Sequence, residues 1–287
     1  MKKYIIVLAV AVSLIACNQK ENKEVSKDDT ENQAEQNQKI VSLNGAISET
    51  LSALGAESQI VGVDVTSTYP EILKTKATDL GHVRSITAES ILSLKPTVVF
   101  ATSKDVNPAL TEQLKAANVS LVLIDQEYSA NGTKKLITEV ATYLKKDNYQ
   151  PILENIDNKL ATLKAFDKKP KVLFIYARGA GNLMVAGKET PLHNMIELAG
   201  AENAASALTD FKPLTPEALL TTNPDVIIMF DSGLQSLGGV EGLLKVEGLA
   251  ATNAGKNKKI VTMDGQLLSG FGPRLGEAVV ELNQKLK

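Results

Sequence analysis

The alternation of apolar and polar positions changes character at Ile40. Before it, residues 18–39 (NQKENKEVSKDDTENQAEQNQK) are almost wholly polar. Such a stretch has too little apolar surface to offset the entropy lost on ordering, so a disordered tether is expected there. From Ile40 onward, short apolar runs alternate with amphipathic ones. Residues 40–43 read as a strand, 44–54 as a helix stopped by Gly55, 59–63 as a strand, and 64–76 as a loop with a short helix. A helix opening at residues 85–89, capped by Ser85 or Thr87, runs to Lys95-Pro96, and 97–101 follow as a buried strand. Residues 108–117 (helix) and 120–124 (strand) complete the set. Residues 131–144 and 152–166 carry apolar residues at three- and four-residue spacing and predict helices, Pro151 suiting a first turn.

After Lys168-Lys169-Pro170 the pattern restarts. Strands are expected at 172–176, 226–230 and 260–263, helices at 191–199, 216–221 and 276–286, and a glycine-rich turn at 178–182. The two halves are related. ITAESILSLKPTVVFA (86–101) lies over LTPEALLTTNPDVIIMF (214–230), matching Thr87 with Thr215, Glu89 with Glu217, Leu92 with Leu220 and Pro96 with Pro224, each pair 128 residues apart. ETLSALGAE (49–57) and NMIELAGAE (194–202) repeat less closely in the same order. Strands alternating with helices predict parallel sheets covered on both faces. The expected architecture is therefore two three-layer α/β lobes (40–146 and 170–287), each with a mostly parallel sheet, joined by a single long helix (147–169). Ligands of such sheets bind beyond the carboxyl ends of the strands, so two facing lobes would share one cleft.

Composition narrows the function. Charged residues are 22% and hydrophobic ones 44%, an ordinary globular mixture. Without Lys2 and Lys3 the basic count falls from 31 to 29 against 33 acids, a net charge of −4, which does not suit a nucleic-acid surface. The only cysteine is Cys17, which excludes a disulfide framework and a thiolate metal cluster. Its place explains it: a basic start, an apolar run from Tyr4 to Leu14, then Leu14-Ile15-Ala16-Cys17 resemble a lipoprotein signal peptide over residues 1–17. The run is shorter than the roughly 20 residues a spanning helix needs. No G-x-S-x-G elbow and no Walker A sequence is present, and Gly179-Ala180-Gly181 lacks the rest of a dinucleotide fingerprint. With two histidines, a multi-histidine zinc site is not expected. No enzymatic activity is implied.

Six segments, in order, carry a resemblance to a known family: DVTSTYP (64–70), DLGHVRSITAESILSLKP (79–96), VAGKETPLHNMIELAGAENAA (185–205), FKPLTPEALL (211–220), SLGGVEGLL (236–244) and MDGQLLSGFGPR (263–274). Over residues 40–287 the chain resembles the helix-linked class of ABC-transporter substrate-binding lipoproteins, and within it the haem-binding members; others carry ferric siderophores or cobalamin, which remain alternatives. The resemblance implies an extracytoplasmic monomer held to the membrane by lipid on Cys17. It would deliver haem to a permease whose partner subunit hydrolyses ATP. One acidic residue per lobe, Glu89 and Glu217, would dock on the permease; each also suits a helix N-terminus electrostatically.

The family takes an axial iron ligand from the turn after Leu80-Gly81, often Tyr; here the residue is His82, and neutral imidazole is a good haem ligand. In the other lobe the Tyr-x-Arg pattern points to Tyr176 as second ligand. If the strand stays extended, Arg178 projects beside the phenol and favours phenolate; the competing reading makes Tyr176 the last core residue of its strand. Met184 is a soft alternative ligand, and His193 reads as structural. Arg84 and Arg274 are candidate cations for the haem propionates, Arg84 reading equally as half of a surface ion pair, and Tyr69 and Phe271 face either the porphyrin or the core.

Overall fold

A computed structural model of the protein describes residues 38–181 and 183–287. The signal peptide, Cys17 and nearly all of the tether lie outside the described residues. In the first lobe the chain runs β1 (Ile40–Ser42), α1 (Gly45–Ala53), β2 (Ile60–Val63), α2 (Leu73–Lys76), β3 (Thr78–Asp79), α3 (Ala88–Ser93), β4 (Val98–Thr102), α4 (Pro108–Ala116), β5 (Ser120–Ile124) and α5 (Ala130–Tyr143). Its five strands are parallel, in the order β3-β2-β1-β4-β5. The period of two decides the layers. Ile40, Val98 and Phe100 face Ile47 and Leu51 of α1 and Leu136 and Ile137 of α5. Val41, Val99 and Ala101 face Ile91 of α3 and Leu110 and Leu114 of α4.

A linking helix, α6 (Gln150–Leu160), leads into β6 (Lys171–Ala177), β7 (Leu183–Ala186), α7 (Pro191–Leu198), β8 (Glu202–Asn203), β9 (Phe211–Pro213), α8 (Pro216–Thr222), β10 (Val226–Phe230), α9 (Asp231–Ser236), α10 (Val240–Leu243), α11 (Asn253–Lys256), β11 (Ile260–Met263), α12 (Gly265–Ser269) and α13 (Leu275–Lys285). The second sheet is mixed, in the order β11-β10-β6-β7-β9 with β8 beside β6. β6, β10 and β11 are parallel; β7 and β9 run antiparallel. Val172, Phe174 and Ile228 face α7 and α13, while Leu173, Ile227 and Met229 face α8, α10 and α11. Each lobe thus has three layers.

The repeat survives in conformation. Thr87 caps α3 through the Ser90 N–H at 3.2 Å, and Thr215 caps α8 through the Ala218 N–H at 3.1 Å. Ile91 and Leu219, the buried anchors of these helices, are both wholly inaccessible. Each helix ends in a left-handed residue before proline, Lys95 (φ 52°) and Asn223 (φ 35°). Those residues keep the 128-residue offset.

The linker is shorter than its apolar spacing predicts. It stops at Leu160, where the last turn tightens: Thr162 and Leu163 bond back to Lys159 and Leu160, and the Thr162 hydroxyl takes the Lys159 carbonyl. Ile156 plugs it into the core. Gly276 lets α13 close on it; a Cβ there would lie 2.6 Å from that of Lys159. The antiparallel β7 and β9 were not expected; β9 is exposed throughout and ends in proline, so it lacks the apolar run of the other strands. Among the described residues no helix is long and apolar enough to cross a membrane.

Candidate ligand-binding cleft

The first sheet reverses its winding between β1 and β4, and a cavity of about 400 Å³ opens beyond the carboxyl ends of its strands. Asn44 and Gly45 follow β1, Asp64 and Thr66 follow β2, and His82 and Arg84 follow β3. Asp105 follows β4, and Gln126 and Tyr128 follow β5. The second lobe closes the cavity with Pro191, Phe230 and the segment from Gly265 to Gly270, including Gln266.

His82 stands in the lining, exposed, on the turn its sequence predicts. It caps a 3-10 turn (Val83–Ser85), and its Nδ1 accepts the Arg84 N–H at 3.3 Å. That bond leaves Nε2 carrying the proton of the neutral ring. Coordination of a metal through Nε2 would need the proton on Nδ1 and would break this long cap bond. Arg84 lines the same cavity.

Beneath them lies a buried polar floor. Asp64 is 2% exposed and accepts from the Thr66 N–H and hydroxyl and, at 2.8 Å, from the Ser67 hydroxyl. The hydroxyls of Ser67, Ser48 and Ser42 continue the chain at 2.7 and 2.8 Å. Burial pushes the Asp64 carboxyl above the usual carboxylate range; the Thr66 and Ser67 bonds oppose this, and the Asp105 charge adds to it. Burial and Asp105 likewise hold the Tyr128 phenol protonated to higher pH. Tyr128 is therefore a poor source of phenolate.

The other predicted residues are distributed unevenly. Tyr176 is half-buried at the end of β6, outside the cavity lining, with its ring 6.2 Å from Phe230, which does line it. Met184 is its cross-strand partner on β7, so the two side chains leave the same face. No hydrogen bond joins Arg178 to Tyr176: β6 ends at Ala177 and turns through Gly179 (φ 74°), so the extended geometry that would align them is absent. Arg274 lies outside the cavity lining. It holds Glu49 through Nε at 3.0 Å and Nη2 at 2.9 Å, and lies 3.5 Å above the Tyr69 ring. Phe271 is buried against Tyr128, 5.4 Å between ring centres, and belongs to the core. Glu89 and Glu217 are exposed in the first turns of α3 and α8. His193 is structural, its Nδ1 3.2 Å from the Asn203 amide.

Sequence reasoning missed Asp64, Asp105, Tyr128, Gln266 and Glu49. Their one legible signal was place: four of them stand just after strands, where side chains of different loops converge.

An α/β chain with two sheets, a linking helix and a cleft at the strand ends is a two-lobe binding protein. Residues 40–267 match the periplasmic binding protein family, and the chain belongs to it. The fold is similar to that of the periplasmic heme-binding protein RhuT from Roseiflexus sp. RS-1 in its apo form (37% identity, TM-score 0.83, 87% of this chain and 97% of that one). It is also similar to the periplasmic heme-binding protein BhuT in complex with two hemes (34%, 0.81, 86% and 97%). An uncharacterized ABC transporter substrate-binding lipoprotein of Bacillus subtilis, YvrC, is 29% identical over 97% of this chain and 94% of its own. The family and these relatives are substrate-binding proteins of transport systems rather than enzymes.

Proposed function

We propose that the protein is an extracytoplasmic, lipid-anchored binding protein that captures haem between its lobes and passes it to an ABC permease. The observation that carries this is the exposed imidazole of His82 on the wall of the cleft, faced by the aromatic end of the second lobe. Among the described residues no three His, Cys, Asp or Glu side chains gather as they would round a bare metal ion. Haem iron brings its own equatorial donors and needs no such cluster. The likeness to proteins described as heme-binding supports the same reading.

In this proposal His82 Nε2 ligates the iron on one side and Tyr176 on the other, with Met184 beside it. Arg178 reaches the phenol only if its turn rearranges. Arg84 neutralises a propionate; Arg274, committed to Glu49, does not. Lipid on Cys17 tethers the monomer, and Glu89 and Glu217 dock it on a permease driven by a separate ATPase.

The test is an absorption titration of residues 38–287 with haemin, beside His82→Ala and Tyr176→Ala. A saturable Soret band shifted in both variants supports two-lobe ligation. A shift in His82→Ala alone removes Tyr176 from the site. Absence of a saturable band in the wild type overturns haem and turns the search to ferric siderophores and cobalamin.

A further inference from the structure

One side chain of the second lobe makes five hydrogen bonds, all to the first. Gln266, on α12, is 7% exposed. Its Oε1 accepts the Thr68 N–H at 2.7 Å, the Thr68 hydroxyl at 3.0 Å and the Tyr69 N–H at 2.7 Å. Its Nε2 donates to the Gly45 carbonyl at 2.9 Å and to Glu49 at 3.1 Å. Every donor and acceptor of the amide is used, which no apolar residue of the same shape can imitate. Gly45 makes the approach feasible, since a Cβ there would lie 3.2 Å from the Gln266 Cδ and 2.6 Å from the Thr66 carbonyl oxygen. The amide also lines the cavity, and its Thr68 and Tyr69 partners end the loop that Asp64 organises.

We infer that Gln266 is a positioning residue, the joint that sets the separation of the lobes and so the gap between His82 and Tyr176. The inference rests on the haem reading for its second half only. Five bonds, three to the loop after β2 and two to α1, leave that separation one narrow value, and a bound iron would then meet both ligands without reorganisation of the lobes. Other bonds join the lobes nearby, Gln126 Nε2 to the Gly270 carbonyl at 3.0 Å and the Arg274 guanidinium to Glu49, with Arg274 also over the Tyr69 ring. Gln266 differs in hydrogen-bonding both α1 and the backbone of the loop after β2.

The experiment uses residues 38–287, which carry every described element and contain no cysteine of their own. Gln113→Cys on α4 and Thr221→Cys on α8, both exposed, take spin labels for pulsed EPR distances between the lobes. The background is wild type, Gln266→Leu, or Gly45→Ala, which presses on the joint from the opposite side. Circular dichroism confirms that each variant is folded. The expected result is a single narrow distance in the wild type and a broadened or displaced one in both variants. Haemin should then leave about tenfold faster with an altered Soret band, because lost preorganisation appears mainly in the dissociation rate. An unchanged distance distribution in both variants overturns the inference, as does a changed distribution with unchanged haemin release. A wild type that binds no haemin overturns the proposed ligand instead, while the distances still decide whether Gln266 is the joint.

Discussion

Replacing Glu49 with Gln should destabilise the protein by about 3 kcal/mol, and the structure supplies the reasons. Glu49 is 4% exposed and accepts four bonds: the Arg274 N–H and Nε at 3.0 Å each, Nη2 at 2.9 Å, and Gln266 Nε2 at 3.1 Å. A Gln amide offers one oxygen and one NH₂, so whichever way it is placed, a donor faces donors. The Arg274 guanidinium, its side chain 25% exposed, also loses its counter-charge. Removing one partner of a buried pair costs about 3–5 kcal/mol, and the water still reaching Arg274 argues for the lower end. For a domain of this size each kcal/mol is worth about 2–4 °C, so the melting temperature should fall by about 6–12 °C. Urea unfolding is the assay, with the slope unchanged and the midpoint lowered. Glu49→Leu/Arg274→Met, which removes both charges, should recover only part of the loss, because the Arg274 N–H and Gln266 Nε2 are left without their acceptor. A loss below about 1 kcal/mol for Glu49→Gln would mean that solvent screens this pair as it does a surface one, and would refute the reasoning.

Three further outcomes are expected. Because burial raises the Asp64 carboxyl above its ordinary value of 3.8, the folded state holds this proton more tightly than the unfolded chain does. Its contribution is therefore full below pH 3.8 and falls as pH rises through the folded value, so the stability of wild type relative to Asp64→Asn should decline across that window and then level off in a urea-unfolding series. A stability difference independent of pH would contradict it. Ile156→Ala, which empties the core position of the linking helix, should cost about 2–4 kcal/mol in the same assay; a loss under 1 kcal/mol would show that the linker is not packed as described. Glu89→Lys with Glu217→Lys should abolish ligand uptake by cells while leaving haemin binding in solution intact, since both residues are exposed and outside the cavity lining. Lost haemin binding would remove them from a docking role.

The repeat at 128 residues was legible in the sequence because it lies in local chemistry: a threonine cap, a carboxylate in the first turn, and a proline that ends the helix. The two lobes, their layers and the turn of His82 follow from such local rules together with the apolar period. The partners of the arginines do not. Arg274 reads as a free cation in a glycine-rich loop, and only folding brings Glu49, 225 residues away, beneath it. Arg178 reads as a neighbour of Tyr176 until the backbone turns at Gly179. Phe271 reads equally as a ligand platform or a core residue until its burial against Tyr128 decides for the core. The joint through Gln266 is the clearest case, because its five bonds span about 200 residues of sequence and nothing local marks a glutamine for that task. Sequence by itself determined what each segment becomes, since helix caps, strand periods and turns act over a few residues. Which polar side chains remain free to meet a ligand was decided by tertiary structure, because a buried donor or acceptor takes whatever partner folding brings within about 3 Å.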